Sequence, residues 1–308
     1  MTLLPYLERI AARQDLSAAD AEQAMRAILA GQASQPQIAA FLMGLKTKGE
    51  TVEELVGFAR AMRSLAVPVD PALHGRPLLD TCGAGGDGAG TFNISTVAAF
   101  VVAGAGVHVA KHGNRAASSA PGCGSADLLE SLGIEIAPSP ENAARAIREV
   151  GIGFLFAPAL HTAMKHAHPV RVDLRMRTVF NLLGPLTNPA GADAQLAGAP
   201  SEHAAGLLAG ALAILGLRHG FVVHAPTAWM KSPPPVPPRC SKCAMAKWSG
   251  APSNPPISPS LRPSRRTSKA AKRRAIAPSP GPFWRASAAR IAISCWSIPP
   301  PPWQPPDR

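Results

Sequence analysis

The stretch Leu78-Leu79-Asp80-Thr81-Cys82-Gly83-Ala84-Gly85-Gly86-Asp87-Gly88-Ala89-Gly90-Thr91-Phe92-Asn93-Ile94-Ser95-Thr96 constrains what this chain can fold into more than any other. A short apolar run ending at Leu79 reads as a buried strand. Five glycines fall in the eight residues from Gly83 to Gly90, and Asn93, Ser95 and Thr96 open an apolar helix near Val97. Strand, bare backbone amides and a helix N-terminus together make a cradle for a phosphate-like anion. No Gly-Lys-Ser/Thr follows and no clean G-x-G-x-x-G is present, so neither common nucleotide fingerprint applies. Glycine loops are often only tight turns. The added Asp87 and the polar row Thr91, Asn93, Ser95, Thr96 suit a ribose, a diphosphate and a metal better than a plain turn.

Residues 2–65 are helical in pattern. Leu4, Leu7 and Ile10 share one face, and Ser17 to Asp20 looks like a helix entry. Met25, Ile28 and Leu29 form a second face before Gly31, and two more helices run over Gln37–Lys46 and Thr51–Leu65. The latter is entered by a capping box, Thr51-x-x-Glu54. The expectation is a small helical bundle over 1–65. Ala66–Arg76, with Pro68, Pro71 and Gly75, reads as a linker. From Pro77 strands and helices alternate: strands at Leu78–Asp80, Val107–Lys111, Ile134–Ile136, Gly153–Phe156 and Gly220–His224, with helices at 95–104, Ser125–Leu132, Glu141–Val150 and around Pro158–Lys165. Alternation of this kind implies an α/β domain over 77–224 with a mostly parallel sheet. Ligands of such sheets sit at the carboxyl ends of the strands. Both the glycine loop and Lys111-His112-Gly113-Asn114-Arg115 fall there, which points to one shared site.

A net charge of +12 over 308 residues would normally suggest a polyanion partner, but its distribution argues otherwise. Residues 225–308 hold 14 Lys/Arg and the single acid Asp307, whereas residues 1–224 hold 17 bases against 18 acids. The same tail carries 20 of the 33 prolines, all five tryptophans and two of the 27 glycines. Two different compositions have been joined. The five cysteines show no disulfide framework, and the opening residues carry no basic-then-apolar signal. The longest apolar run, Val97–Ala110, is too short for a bilayer and contains His108. A cytoplasmic protein without a membrane partner is the expectation.

The central loop resembles the diphosphate-binding loop of the anthranilate phosphoribosyltransferases, which normally reads Gly-Thr-Gly-Gly-Asp followed by Thr-Phe-Asn-Ile-Ser-Thr. Ala84 stands where that family usually has Thr, which removes a hydroxyl and leaves the backbone cradle intact. The resemblance covers residues 1–224 and implies a small helical domain joined to a larger α/β domain of the nucleoside phosphorylase/phosphoribosyltransferase type. It also implies a homodimer through the N-terminal helices, Mg²⁺ as cofactor, and phosphoribosyl pyrophosphate and anthranilate as substrates. The segment Lys111-His112-Gly113-Asn114-Arg115-Ala116-Ala117-Ser118-Ser119 is a solvated loop if read alone. Beside the glycine loop it is better explained as a clamp on the donor's phosphates. The family pattern then places the donor on Gly83, Gly86, Asp87, Thr91, Asn93, Ile94, Ser95, Thr96, on all of 111–119, and on Ser125, with Ser95 as the metal ligand. Ala120-Pro121-Gly122-Cys123 separates Ser119 from Gly124-Ser125-Ala126-Asp127 by two residues more than the family pattern.

A third set runs from His161 through Lys165, His166, His168 and Arg171 to Arg175, Arg177, Asn181, Pro185 and Asn188. Three histidines invite a metal reading, but no carboxylate pair stands at ligand spacing. The run looks like the family's anthranilate-binding part. That resemblance puts the aromatic acid on Gly83, Asn114, His161, Arg171 and Pro185, with Arg171 able to grip its carboxylate bidentately. A basic surface helix is the alternative for Arg171. Arg175 stands where the family usually has Gly. In the implied reaction diphosphate leaves C1 of the ribose, positive charge develops on the ring, and the amine attacks. Such a transition state needs charge neutralisation more than a strong base, so no catalytic residue is assigned.

The family holds a second metal by adjacent Asp and Glu in a Gly-Leu-Asp-Glu motif after the strand that ends here at His224. No Asp or Glu occurs here between Glu202 and Asp307. Ala228-Trp229-Met230-Lys231 must be encoded GCN-TGG-ATG-AAR, and reading from the third base gives NTG-GAT-GAA, in which Asp-Glu is forced. A frame change near His224–Thr227 is inferred, leaving 225–308 as a basic, Pro-rich tail expected to be disordered. Two rivals stand beside the transferase. A pyrimidine nucleoside phosphorylase shares the fold. A nucleic-acid-binding protein would use Arg262–Arg274 and the interleaved tryptophans, but the near-neutral first 224 residues weigh against it.

Overall fold

The computed structural model describes residues 3–84, 93–116, 123–224 and 246–247, all within one unit, Met1–Gly250. Four helices open the chain: α1 Leu4–Ala11, α2 Ala18–Leu29, α3 Gln35–Lys48 and α4 Val52–Leu65. The last three each start on a hydroxyl cap. Ser17 accepts the Asp20 N–H, Ser34 that of Gln37 and Thr51 that of Glu54, the latter two as capping boxes. Such caps contribute about 1 kcal/mol each. Phe41 and Phe58 meet edge to face at 5.9 Å in the bundle core.

Glu54 is fully buried and does more than cap. Its carboxylate accepts from the Leu16 N–H at 3.0 Å, the Thr51 N–H at 2.9 Å and Lys48 Nζ at 3.1 Å. Lys48 Nζ also reaches Asp15 at 2.6 Å. Burial pulls the Lys48 pKa down, but the Asp15 and Glu54 carboxylates outweigh it and leave it raised.

The α/β part follows as β1 Leu78–Gly83, α5 Ile94–Gly104, β2 His108–Gly113, α6 Ser125–Ser131, α7 Pro140–Val150, β3 Ile152–Phe156, α8 Ala157–Leu160 and a 3-10 turn Thr162–His166. Then come α9 His168–Leu174, α10 Phe180–Leu183, a 3-10 turn Gly184–Leu186, β4 Ala194–Gly198, α11 Glu202–Ile214, β5 His219–Val223 and β6 Ala246–Lys247. The sheet order is β3-β2-β1-β4-β5-β6, parallel through β5, with β6 antiparallel to it. The rest of the expected tail, including the Arg262–Arg274 cluster, lies outside the described residues.

Register puts Cys82, Ala197 and Val222 on one face, where they join the apolar core of the bundle and α11. Leu78, Ala110 and Leu155 meet α7 through Ala143 and Ile147. The opposite face takes α5 and α6 at Phe154, through Phe100 and Leu129. The chain steps from β1 to β2 to β3 on one side and returns to β4 on the other. The crevice outside the carboxyl ends of β1 and β4 is therefore the topological switch point.

Several expectations are corrected. Ile134–Ile136 is not a strand. The Ile134 N–H closes the end of α6 on the Leu129 carbonyl at 3.0 Å, and Ile136 packs on Ala126, Leu129 and Phe154. Residues 66–76 are docked rather than a free linker: Val69 and Leu73 are buried, and the Val67 N–H reaches the Leu160 carbonyl at 2.8 Å. The helix expected around Pro158–Lys165 breaks at His161 into α8 and a 3-10 turn. The strand pattern also leaves out β4, whose Ala-Gln-Leu-Ala-Gly lacks β-branched residues, and α11, which is apolar all round.

Arg175 ends α9 at φ 48°, ψ 32°, the left-handed region that glycine adopts freely. Arg175→Gly should raise stability by about 0.5–1 kcal/mol, read as a melting temperature higher by a few degrees. Glu54→Ala should cost about 3 kcal/mol in denaturant unfolding, because it strips partners from a buried lysine and two amides.

Candidate functional site

The site is built where β1 and β2 end. Lys111 on β2 is almost wholly buried, and its ammonium donates to the Thr81 carbonyl at 2.6 Å and to Ser95 Oγ at 3.2 Å. Thr81 Oγ1 donates to the Ser95 carbonyl at 2.8 Å. The first turn of α5 is thereby pinned to both strands. Unlike the caps of α2, α3 and α4, the Asn93 side chain makes no capping bond to this helix among the described residues. The Asn93 amide donates instead to the Cys123 carbonyl at 3.0 Å. A helix N-terminus beside a buried ammonium attracts anions.

Asp80 lies fully buried on the other face of the sheet, accepting the His112 N–H at 3.2 Å. Burial pushes its carboxyl pKa up, with the Lys111 cation opposing, and burial pulls Lys111 down. His112 and His161 are buried side by side, ring centroids 5.2 Å apart, and burial lowers each to about 4. His112 Nδ1 stands 3.2 Å from the Gly184 carbonyl. A carbonyl only accepts, so the proton belongs on Nδ1 and the Nε2 lone pair is left without a partner among the described residues.

Beyond β2, Asn114 Oδ1 accepts the Arg115 N–H at 2.7 Å. The Arg115 guanidinium turns to Glu130 at 2.7 and 2.9 Å and to Asp127 at 3.1 Å, and these carboxylates raise its pKa. Asp127 Oδ2 accepts the N–H of Ala116 at 2.9 Å and of Gly124 at 2.8 Å, closing the loop that carries the two extra residues at its ends. Glycine is required at two places here. A Cβ at Gly113 would press on Ser125 Oγ and the Phe154 ring, and one at Gly124 on the backbone of Arg115 and Ala116.

On the far side the Arg171 guanidinium lies over the Phe180 ring at 5.1 Å, and burial lowers its pKa. Pro185 is buried in the turn after α10. Gly83, Ser95, Lys111, His112, Gly113, Asn114, His161 and Pro185 thus converge on the carboxyl edge of the sheet. Asn93, Ile94, Thr96 and Ser125 stand at the helix starts beside them, whereas Arg115 points to its acidic partners. Gly86, Asp87, Thr91, Ala117, Ser118 and Ser119 lie outside the described residues.

His166 packs its ring against Gly31. Among the described residues no group of three His, Cys, Asp or Glu is placed to hold a metal ion. Sequence reasoning gave no role to Asp80, although a charge ending an apolar strand was a usable signal. It also missed Arg177, whose guanidinium donates to the Ala84 carbonyl at 3.4 Å, and Gln195.

A mostly parallel sheet with helices on both faces, a buried lysine at the carboxyl end of β2 and a core shared with a helical bundle define a two-part α/β protein. The chain belongs to the glycosyl transferase family: residues 4–66 match the model of its helical bundle domain and residues 75–228 that of its a/b domain. The anthranilate phosphoribosyltransferase of Solibacter usitatus (strain Ellin6076) is 75% identical over 224 residues, 73% of this chain and 65% of that protein. The crystal structure of the anthranilate phosphoribosyltransferase of Thermus thermophilus is similar at TM-score 0.67 and 50% identity, over 71% of this chain and 65% of that one. The Saccharomyces cerevisiae enzyme in complex with PRPP and Mg is similar at TM-score 0.62 and 30% identity, over 72% and 65%. This chain therefore spans just under two thirds of the length of these relatives. No helix among the described residues is long and apolar enough to cross a membrane.

Both histidines are neutral in the folded protein and have a lower pKa there than the usual value of 6.5. The unfolded chain therefore binds more protons between about pH 6.5 and 4, and stability falls as pH drops through that window. His112→Gln and His161→Gln should each flatten that fall, measured as denaturant midpoints against pH.

Proposed function

We propose that this chain carries the machinery for moving the 5-phosphoribosyl group of phosphoribosyl pyrophosphate to the amine of anthranilate, with release of diphosphate. The observation that carries the reading is Lys111, buried at the carboxyl end of β2 beneath the start of α5. An ammonium has three donors, and two go to Thr81 and Ser95, leaving one for a phosphate oxygen. The α5 dipole adds further positive potential where charge leaves C1. Arg171, partly desolvated over Phe180, is suited to hold an aromatic carboxylate, and the neutral His112–His161 pair gives that acid a wall that does not compete for its charge.

Mg²⁺ fits as an ion that arrives on the diphosphate. Ser95 Oγ keeps a lone pair after accepting from Lys111, yet the adjacent cation disfavours a bare metal there. When bound, the ion neutralises charge on the leaving diphosphate. Homodimerisation through the N-terminal helices and a cytoplasmic location belong to the same proposal, and sedimentation velocity tests the first. The relatives' names favour this reading over a pyrimidine nucleoside phosphorylase of the same fold.

Impairment is part of the proposal. The family model ends at residue 228, and no acid follows Glu202 until Asp307. An electrostatic group of the kind that shifted frame would restore is worth on the order of 10²–10³ in rate. Complementation of a tryptophan auxotroph by this chain and by a frame-restored version, side by side, should succeed with the second and fail or lag with the first. Calorimetry on the frame-restored protein should show donor binding in the presence of Mg²⁺, weakened about tenfold or more by Lys111→Ala. No heat from the donor would overturn the reading.

A further inference from the structure

We infer that Gln195 and Arg63 are positioning residues for the acceptor pocket, fixing from β4 and from the helical bundle the turn whose Pro185 forms its wall. The inference rests on the function proposed above. α10 ends at Leu183 and the chain tightens into the Gly184–Leu186 turn, so the carbonyls there lose ordinary helical partners.

Each of four successive carbonyls takes a side-chain donor. Thr187 Oγ1 donates to Leu183 at 2.9 Å, and His112 Nδ1 meets Gly184 at 3.2 Å. Gln195 Nε2 donates to Pro185 at 2.6 Å, and Arg63 Nε to Leu186 at 2.7 Å. The donors come from the turn itself, β2, β4 and α4. Such a turn cannot slide along any one neighbour without losing a bond to another.

Gln195 has a second role in this cage. Its amide also meets Cys82 Sγ at 3.0 Å, one residue before Gly83 at the mouth of the glycine loop. One buried side chain thus sets the spacing between the acceptor wall and the donor loop. Because a buried carbonyl left without a donor costs free energy, removing the amide should let Pro185 move. Misplacement of about 1 Å between reacting groups is costly to transfer. Arg63 does the same from the bundle, and its contact is the route by which the helical domain acts on the pocket.

The test uses the full chain and two variants: Gln195→Met, which keeps length but has no N–H, and Arg63→Met, at an exposed side chain whose loss leaves the sheet intact. Anthranilate affinity is read from its own fluorescence, and donor affinity by calorimetry with Mg²⁺. Gln195→Met should weaken anthranilate about tenfold and Arg63→Met somewhat less, with donor affinity within about twofold of the parent in both. A general loss of structure would weaken both ligands in parallel, and that outcome, or unchanged anthranilate affinity, overturns the inference. If Gln195→Met does not fold, Arg63→Met decides alone. A parent chain that binds neither ligand, beside a frame-restored chain that binds both, removes this inference only, and a frame-restored chain that binds neither removes the proposed function with it. A parent that binds both, beside variants that match it, removes this inference only.

Discussion

The bond from Lys111 Nζ to the Thr81 carbonyl, with its second arm on Ser95, is the contact on which the rest of the site depends. Thr81 and Lys111 belong to neighbouring parallel strands, and Ser95 to the first turn of the helix that crosses between them. One cation therefore fixes the angle at which α5 leaves the glycine loop. A buried ammonium is costly unless its donors are satisfied, so the site tolerates it only in this register. The same burial that strains the lysine makes its charge effective, because little water screens it.

The helical bundle completes the α/β domain rather than hanging beside it. Cys82, Ala197 and Val222 of the sheet share an apolar core with Phe41, Leu45 and Phe58 of the bundle. α11 fits closely against α4, where a Cβ on Gly210 would press on Val52. Arg63 then carries this packing to the Leu186 carbonyl. A turn caught between two packed bodies is held more firmly than a surface loop, as the proposed acceptor site would need.

The polar cluster under the site follows one rule: buried groups are either bonded or neutral. Asp127 bonds two amides, Asn188 donates to the Ala110 carbonyl at 2.9 Å, and Gln195 bonds both a carbonyl and a thiol. His112 and His161, short of partners, stay uncharged. Asp80 keeps one oxygen unpartnered among the described residues, and its raised pKa is the expected response.

By itself the sequence determined the local devices. Ser17 and Thr51 with Glu54 act within a few residues, so their effect can be read from spacing alone. Tertiary structure decided the rest. β4 carries no strand signal, and only its place beside β1 makes it the other lip of the switch point. Ile134–Ile136 has the alternation of a strand, but Ile134 closes the end of α6 and Ile136 packs on the cluster around Leu129 and Phe154. Gln195 lies 10 residues from Pro185, and Arg63 lies 123 residues from Leu186. Periodicity reports which side of an element is buried, but a hydrogen bond between distant segments depends on how packed elements meet, and that is settled only when the whole core closes.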